Sequence, residues 1–139
     1  MRIVLDSNLY ISAFLSEGGL ASKVLELCEE GKLEIYCSPD IIEETQTRLV
    51  NKLKLDEDYV ASYIKHIASI LKIVVPQKGL KVVKADPDDD KVIECAVEAQ
   101  ANLIVTMDKH LLKLKSYEKI GIIHPKTLTW ILPKVFEKN

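Results

Sequence analysis

The sequence predicts an α/β domain arranged as a three-layer sandwich, with a central, mostly parallel sheet and helices on both faces. Three observations carry that expectation. Short apolar runs alternate with segments of helical periodicity along the whole chain. The runs are continuous rather than alternating, as in strands buried on both faces. A chain of 139 residues also fits one compact domain, residues 1–139, with little left for a second.

Each element follows from local chemistry. Ile3-Val4-Leu5 is a buried strand that stops at polar Asp6-Ser7-Asn8. Leu9 to Leu15 is a short helix broken by Ser16-Glu17-Gly18-Gly19, and Ala21 to Glu30 is an amphipathic helix closed by Gly31. Leu33 to Cys37 is the second strand. Ser38-Pro39 then supplies an N-cap and a first-turn proline for a helix reaching about Leu53, with Ile41, Ile42, Thr45, Leu49 and Leu53 on one side. Asp56 to Leu71 is another helix, striped by Tyr59, Tyr63, Ile67 and Ile70, and Ile73 to Val75 is a third strand stopped by Pro76. Asp86-Pro87-Asp88-Asp89-Asp90 introduces a helix from Lys91 to about Gln100. Leu103 to Val105 is a strand capped by Thr106-Met107-Asp108, Lys109 to Lys115 a short helix, and Ile120 to Ile123 the last strand. A final helix, Lys126 to Val135, is interrupted near Pro133.

Composition narrows the class. Hydrophobic residues make up 47% and charged residues 29%, enough apolar material for a packed core. The apolar runs are too short to cross a bilayer, and no basic segment with an apolar stretch opens the chain, so the expected compartment is the cytoplasm. Cys28, Cys37 and Cys95 are scattered without a C-x-x-C pair and read as reduced core residues. The net charge of −2 excludes binding nucleic acid through a global basic excess; any such contact needs a local patch. No phosphate loop, dinucleotide turn or nucleophile elbow is present, and His66, His110 and His124 lack metal-ligand spacing.

The acids carry the chemistry. Singly, Asp6 is an ordinary cap for the helix after it, Asp86 to Asp90 suit a helix N-terminus, Asp108 caps the Lys109 helix, and Glu44 suits a helix surface. Jointly, two strands end in an acid, and an acidic cluster opens the helix leading into the second of them. In a doubly wound sheet, such places converge beyond the carboxyl ends of the strands. Glu44 lies close to Ile41 and Ile42, which allows it to point inward. Carboxylates within roughly 4 Å repel by about 4 kcal/mol per pair at an effective dielectric of about 20. Protons or cations must compensate such a cluster, and all-oxygen ligands favour Mg²⁺ or Mn²⁺ over zinc.

Several pieces agree in order and spacing with one known family. They are Ile3-Val4-Leu5-Asp6-Ser7-Asn8, Cys37-Ser38-Pro39-Asp40-Ile41-Ile42-Glu43-Glu44, Asp86-Pro87-Asp88-Asp89-Asp90, Glu94-Cys95-Ala96, the stretch Ala101 to Leu112, and Ile122-Ile123-His124-Pro125. The sequence resembles PIN-domain proteins, above all the toxin components of toxin–antitoxin systems related to VapC toxins. Met107 stands where a glycine is frequent and His124 where a serine is frequent; neither departure removes an acid.

The resemblance implies a PIN-like fold with its acids at the carboxyl edge, and Mg²⁺- or Mn²⁺-dependent hydrolysis of RNA by one or two ions. Carried over, the catalytic and metal-binding acids are Asp6, Glu44, Asp89 and Asp108, supported by Asn8 and Thr106. Asp86 matches an extra acid of this branch, and Asp89 is preferred over Asp90 for the third position. Asp6, Asp89 and Asp108 would hold a cation that activates water, with Glu44 holding a second ion or orienting that water. Lys91, Lys109, Lys113 and Lys115 lie beside the acids, where they would meet RNA phosphates or form ordinary solvated helix faces. A small antitoxin and a homodimer are the implied partners, docking on Asp40 to Leu53 or Tyr59 to Leu71.

Two alternatives belong to other classes. A PIN-type module that only binds RNA or protein would not need the four acids. An aspartyl-phosphate phosphoryl-transfer domain also places an acid after the first strand, but the second Asp of the dehalogenase type is replaced by Asn8.

Overall fold

In a computed structural model, residues 1–77 and 87–137 are described, without the side chains of 87–89. Six strands form one sheet in the order β3-β2-β1-β4-β6-β5. They are β1 (Arg2–Leu5), β2 (Glu34–Cys37), β3 (Lys72–Ile73), β4 (Leu103–Val105), β5 (Ser116–Tyr117) and β6 (Ile120–Ile123). All pair in parallel except β5, which runs antiparallel to β6. The helices are α1 (Ser7–Leu15), α2 (Leu20–Glu29), α3 (Pro39–Thr47), α4 (Glu57–Ile70), α5 (Pro87–Glu98), α6 (Lys109–Leu114), α7 (Pro125–Ile131) and α8 (Pro133–Phe136). The mostly parallel sheet flanked by helices is the fold class expected. None of the described helices is long and apolar enough to cross a membrane.

Central strands show why the register is fixed. Ile3, Val4 and Leu5 are all buried, and Val4 lies between Tyr36 of β2 and Ile104 of β4. Helix α5 packs on β1, β4 and β2 with Val92, Ile93, Cys95 and Ala96 buried. The three cysteines are free and buried, as expected. Nearer the edge, β2 departs from the continuous apolar pattern. Glu34 and Tyr36 lie on its half-exposed face, where the Tyr36 hydroxyl donates to Glu34 and the Arg2 guanidinium lies 5.4 Å from the ring centroid.

Several boundaries differ from expectation for identifiable reasons. Helix α1 starts two residues early because Asp6 caps it, accepting from the Leu9 N–H at 3.2 Å. Helix α3 begins on Ser38-Pro39 as expected but gives way to a π-helical turn, Arg48–Lys52, closed by Leu53 N–H to Arg48 O at 3.0 Å. The extra residue in that turn rotates Leu53 off the apolar stripe, leaving it 41% exposed. On α4, Val60 and Ile67 face inward, whereas Tyr59 is 67% exposed and lies against Phe14 at 5.2 Å between centroids. Strand β3 ends at Ile73, although the Val74 N–H still reaches Cys37 O at 2.8 Å. Strand β5 was not expected, since Ser116-Tyr117 is too short to show a pattern; a turn with Glu118 at φ 54° folds it onto β6. The last helix divides at Leu132, as the preference of a residue before proline for extended backbone requires.

Candidate active site

The chain passes from β1 to β2 and β3 on one side, then returns to place β4 on the other side of β1. The strand order therefore reverses between β1 and β4, and the crevice beyond their carboxyl ends is where an α/β sheet presents functional groups. Asp6 follows β1 directly, and Thr106 and Asp108 follow β4. Backbone pairing continues past the strands, with Asp6 N–H to Val105 O at 3.4 Å and Thr106 N–H to Ile123 O at 2.9 Å.

Thr106 ties the two acids together. It is fully buried; its hydroxyl donates to Asp6 Oδ2 and accepts from the Asp108 N–H at 2.9 Å. Asp108 caps α6, its Oδ1 accepting from the N–H groups of His110 at 2.7 Å and Leu111 at 3.2 Å. Asp6 is only 5% exposed, and burial pushes its carboxyl up to about 6. The Thr106 hydroxyl and the Leu9 N–H pull it down, and the charges of Asp108 and Glu44 push it up further. Asp6 has no cationic partner among the described residues.

Glu44 points inward from α3 and is held differently. Ser7 Oγ donates to its Oε1, Arg48 lies 3.6 Å from the same oxygen, and Lys91 Nζ lies 3.6 Å from Oε2. The same Arg48 nitrogen donates to Ser7 Oγ at 3.2 Å and to Asn8 Oδ1 at 3.0 Å. Glu44, Arg48 and Lys91 line a cleft of about 300 Å³ with Asp40, Glu43 and Thr47. The two cations come from different elements, the turn after α3 and the start of α5, so Glu44 joins those elements across the cleft.

The sequence-predicted residues thus divide into groups. Asp6, Thr106 and Asp108 meet at the reversal point, and Glu44 reaches its rim through Ser7. Asn8 faces Arg48, not a carboxylate, so the hydroxyl of Ser7 makes the bond to Glu44. Lys91 is engaged with Glu44, while Lys109, Lys113 and Lys115 are exposed. Asp90 is half-buried in α5. Asp89 belongs to the backbone of α5 with its side chain outside the described set, and Asp86 lies outside the described residues. Sequence reasoning missed Ser7, Arg48 and the buried acid Glu94. Arg48 had a usable signal, its position four residues after Glu44 on a helical stretch.

The donor set at the reversal point is all oxygen, which fits a hard divalent cation and not a soft one. Among the described residues, no three acids converge closely enough to hold an ion.

The PIN-domain family model matches residues 2–110, a span that includes Asp6, Glu44, Asp89 and Asp108. The chain belongs to the PIN-domain family, whose members are generally nucleases. It is similar to an uncharacterized protein of Methanocaldococcus jannaschii, 34% identical over 98% of this chain and 89% of that one. Its fold is similar to a chain in the crystal structure of VapBC2 from Rickettsia felis bound to a DNA fragment from their promoter. That likeness has a TM-score of 0.64 at 18% identity and covers 88% of this chain and 97% of the other.

Proposed function

We propose that this chain is a Mg²⁺- or Mn²⁺-dependent endoribonuclease, the toxin component of a toxin–antitoxin pair. The observation that carries this reading is buried Asp6 beside half-buried Asp108, linked through the Thr106 hydroxyl beyond the ends of β1 and β4, with nothing cationic against Asp6 among the described residues. Asp6 and Asp108, together with Asp89 from the start of α5, would hold the cation, and Glu44 would border the site through Ser7. Bound there, the cation would lower the pKa of a water and stabilise charge on the phosphate oxygens. Thr106 holds the Asp6 carboxylate and the Asp108 backbone N–H, and the Asp108 carboxylate is held by the first turn of α6. These are the supporting contacts a metal-binding carboxylate needs. Exposed Lys109, Lys113 and Lys115 would meet the phosphates of the RNA.

The likeness to a chain of the Rickettsia felis VapBC2 structure supports an antitoxin-type partner, and a homodimer is proposed alongside it. Residues Asp40 to Leu53 and Tyr59 to Leu71 are the proposed docking surfaces for those partners. Cleavage of labelled RNA in Mn²⁺, abolished by EDTA and by Asp108→Ala, is the expected outcome. Cleavage that persists in EDTA would overturn the metal requirement.

One observation favours the alternative of a non-catalytic module: Glu44 is already compensated by Arg48 and Lys91. Calorimetric titration with Mn²⁺ separates the two readings. The enzyme binds the ion and loses that binding in Asp108→Ala; the non-catalytic module shows no difference.

A further inference from the structure

Charge is divided unevenly along the chain. Residues 109–139 contain seven Lys against Glu118 and Glu137, a net charge of +5 in a protein whose total is −2; residues 1–108 therefore carry −7. The basic part forms α6, β5, β6, α7 and α8, and both of its strands lie on the far side of β4 from β1. Lys109, Lys113, Lys115, Lys119, Lys126 and Lys134 are all exposed there. A protein that meets nucleic acid without a global basic excess needs such a local field.

Trp130, the single tryptophan of the chain, stands in this half and is 71% exposed. Its position is not a slipped core contact. Helix α7 buries Pro125 and Leu128, while Lys126 and Trp130, four residues apart and so on one side of the helix, face out. The helix is rooted beside the acids: Ile123 at the end of β6 pairs with Val105 of β4, its carbonyl accepts from the Thr106 N–H at 2.9 Å, and α7 starts two residues later. The chain therefore enters α7 one sheet position away from the strand that Asp108 follows.

We propose that the outer face of α7 is a subsite for the single-stranded RNA leaving the acidic crevice, with Lys126 on a backbone phosphate and the Trp130 indole stacked on an unpaired base. The inference rests on the ribonuclease reading. Stacking uses the face common to all bases, so the subsite selects for an unpaired base with little regard to its identity.

Because Trp130 is the only indole, its emission reports on this subsite alone. The test uses Asp6→Asn protein with Mn²⁺ and a short fluorescein-labelled oligoadenylate, followed by anisotropy and, with unlabelled strand, by tryptophan emission. Saturable quenching should track the anisotropy. A second substitution, Trp130→Ala, should weaken binding about tenfold, while Trp130→Phe keeps most of it. Lys126→Ala should lower the slope of log affinity against log salt by about 0.7. Binding with unmoved emission and unchanged affinity in Trp130→Ala would overturn the proposal, as would absence of binding. A shift of Trp130→Ala from dimer to monomer with RNA affinity unchanged would also overturn it, assigning this face to a protein partner. RNA cleavage by the wild type is measured separately, so failure of the subsite and failure of the ribonuclease reading are distinguishable.

Discussion

Replacing Asp6 with Asn should remove activity and yet stabilise the protein at neutral pH. The carboxyl of Asp6 is raised from 3.8 to about 6, chiefly by burial, so ionising it in the folded state is costly. A shift of roughly two units corresponds to about 3 kcal/mol. The sign follows from linkage. With the folded-state value above the unfolded one, the favourable contribution is complete below pH 3.8 and lost as pH rises through about 6. At pH 7.5 the wild type therefore carries the full penalty, whereas the amide of the Asp6→Asn variant is neutral at every pH. That amide can still cap α1 by accepting from the Leu9 N–H, although it suits the Thr106 hydroxyl less well, so the net gain is about 2–3 kcal/mol. For a domain of this size that raises Tm by about 10 °C.

The assay is calorimetric or urea unfolding of both proteins in EDTA at pH 4 and pH 7.5. The gap should be large at pH 7.5 and nearly closed at pH 4. Saturating Mn²⁺ should narrow it at pH 7.5 by stabilising only the wild type, since a ligand bound to the folded state alone raises stability. A gap of equal size at both pH values would place the effect in packing or hydrogen bonding and refute the electrostatic argument. A less stable variant at pH 7.5 would refute it outright.

Other expectations follow from single contacts. Thr106→Val keeps the volume but removes the donor to Asp6 and the acceptor for the Asp108 N–H; it should cost about 1–3 kcal/mol by urea unfolding. Losing that donor also moves the Asp6 carboxyl further up, so the pH at which cleavage reaches half its maximum should rise, while Thr106→Ser restores both properties. Arg48→Ala removes a cation from Glu44 and should raise Mn²⁺ affinity several-fold by calorimetry; a weaker affinity would mean that Arg48 organises the site rather than competing with the ion. Ile93→Ala, in the fully buried face of α5, should cost about 2–5 kcal/mol without changing the pH dependence of cleavage.

How much of this was legible in the sequence depended on the range of each interaction. Ile3 to Leu5 and Leu103 to Val105 could be read as strands because burial on both faces demands unbroken apolar runs, and Asp6 and Asp108 were placed by simple adjacency. Ser38-Pro39 and Gly31 marked helix ends because capping is local. By contrast, β5 acquires its identity only by pairing with β6, and Ser116-Tyr117 has no pattern of its own. The tie through Thr106 spans a hundred residues of sequence. Ser7 was passed over because it reaches Glu44 only across the fold, which neither spacing nor composition shows; Arg48 was passed over although its position four residues after Glu44 was a usable signal. The π-helical turn at Arg48 is likewise invisible to a pattern that assumes a constant helical period.

The carboxylates at this edge are compensated unequally. Glu44 has Lys91 from one element and Arg48 from another, with Ser7 donating to the oxygen that Arg48 also approaches. Asp6 has two neutral donors and two repelling carboxylates. A fold that could place cations around Glu44 could have done so around Asp6, and the cost of leaving it uncompensated among the described residues is comparable to a fair fraction of a domain's stability. Such a cost is retained when the charge serves something outside the chain, as at sites where activity and stability are traded against each other. On the proposed reading, that something is the divalent cation, and it belongs on the Asp6–Asp108 side of the cleft. The pair of cations at Glu44 then acts in a different way. Through Lys91 it ties α5 to α3 at Glu44, and on that reading it would hold the start of α5 beside the crevice.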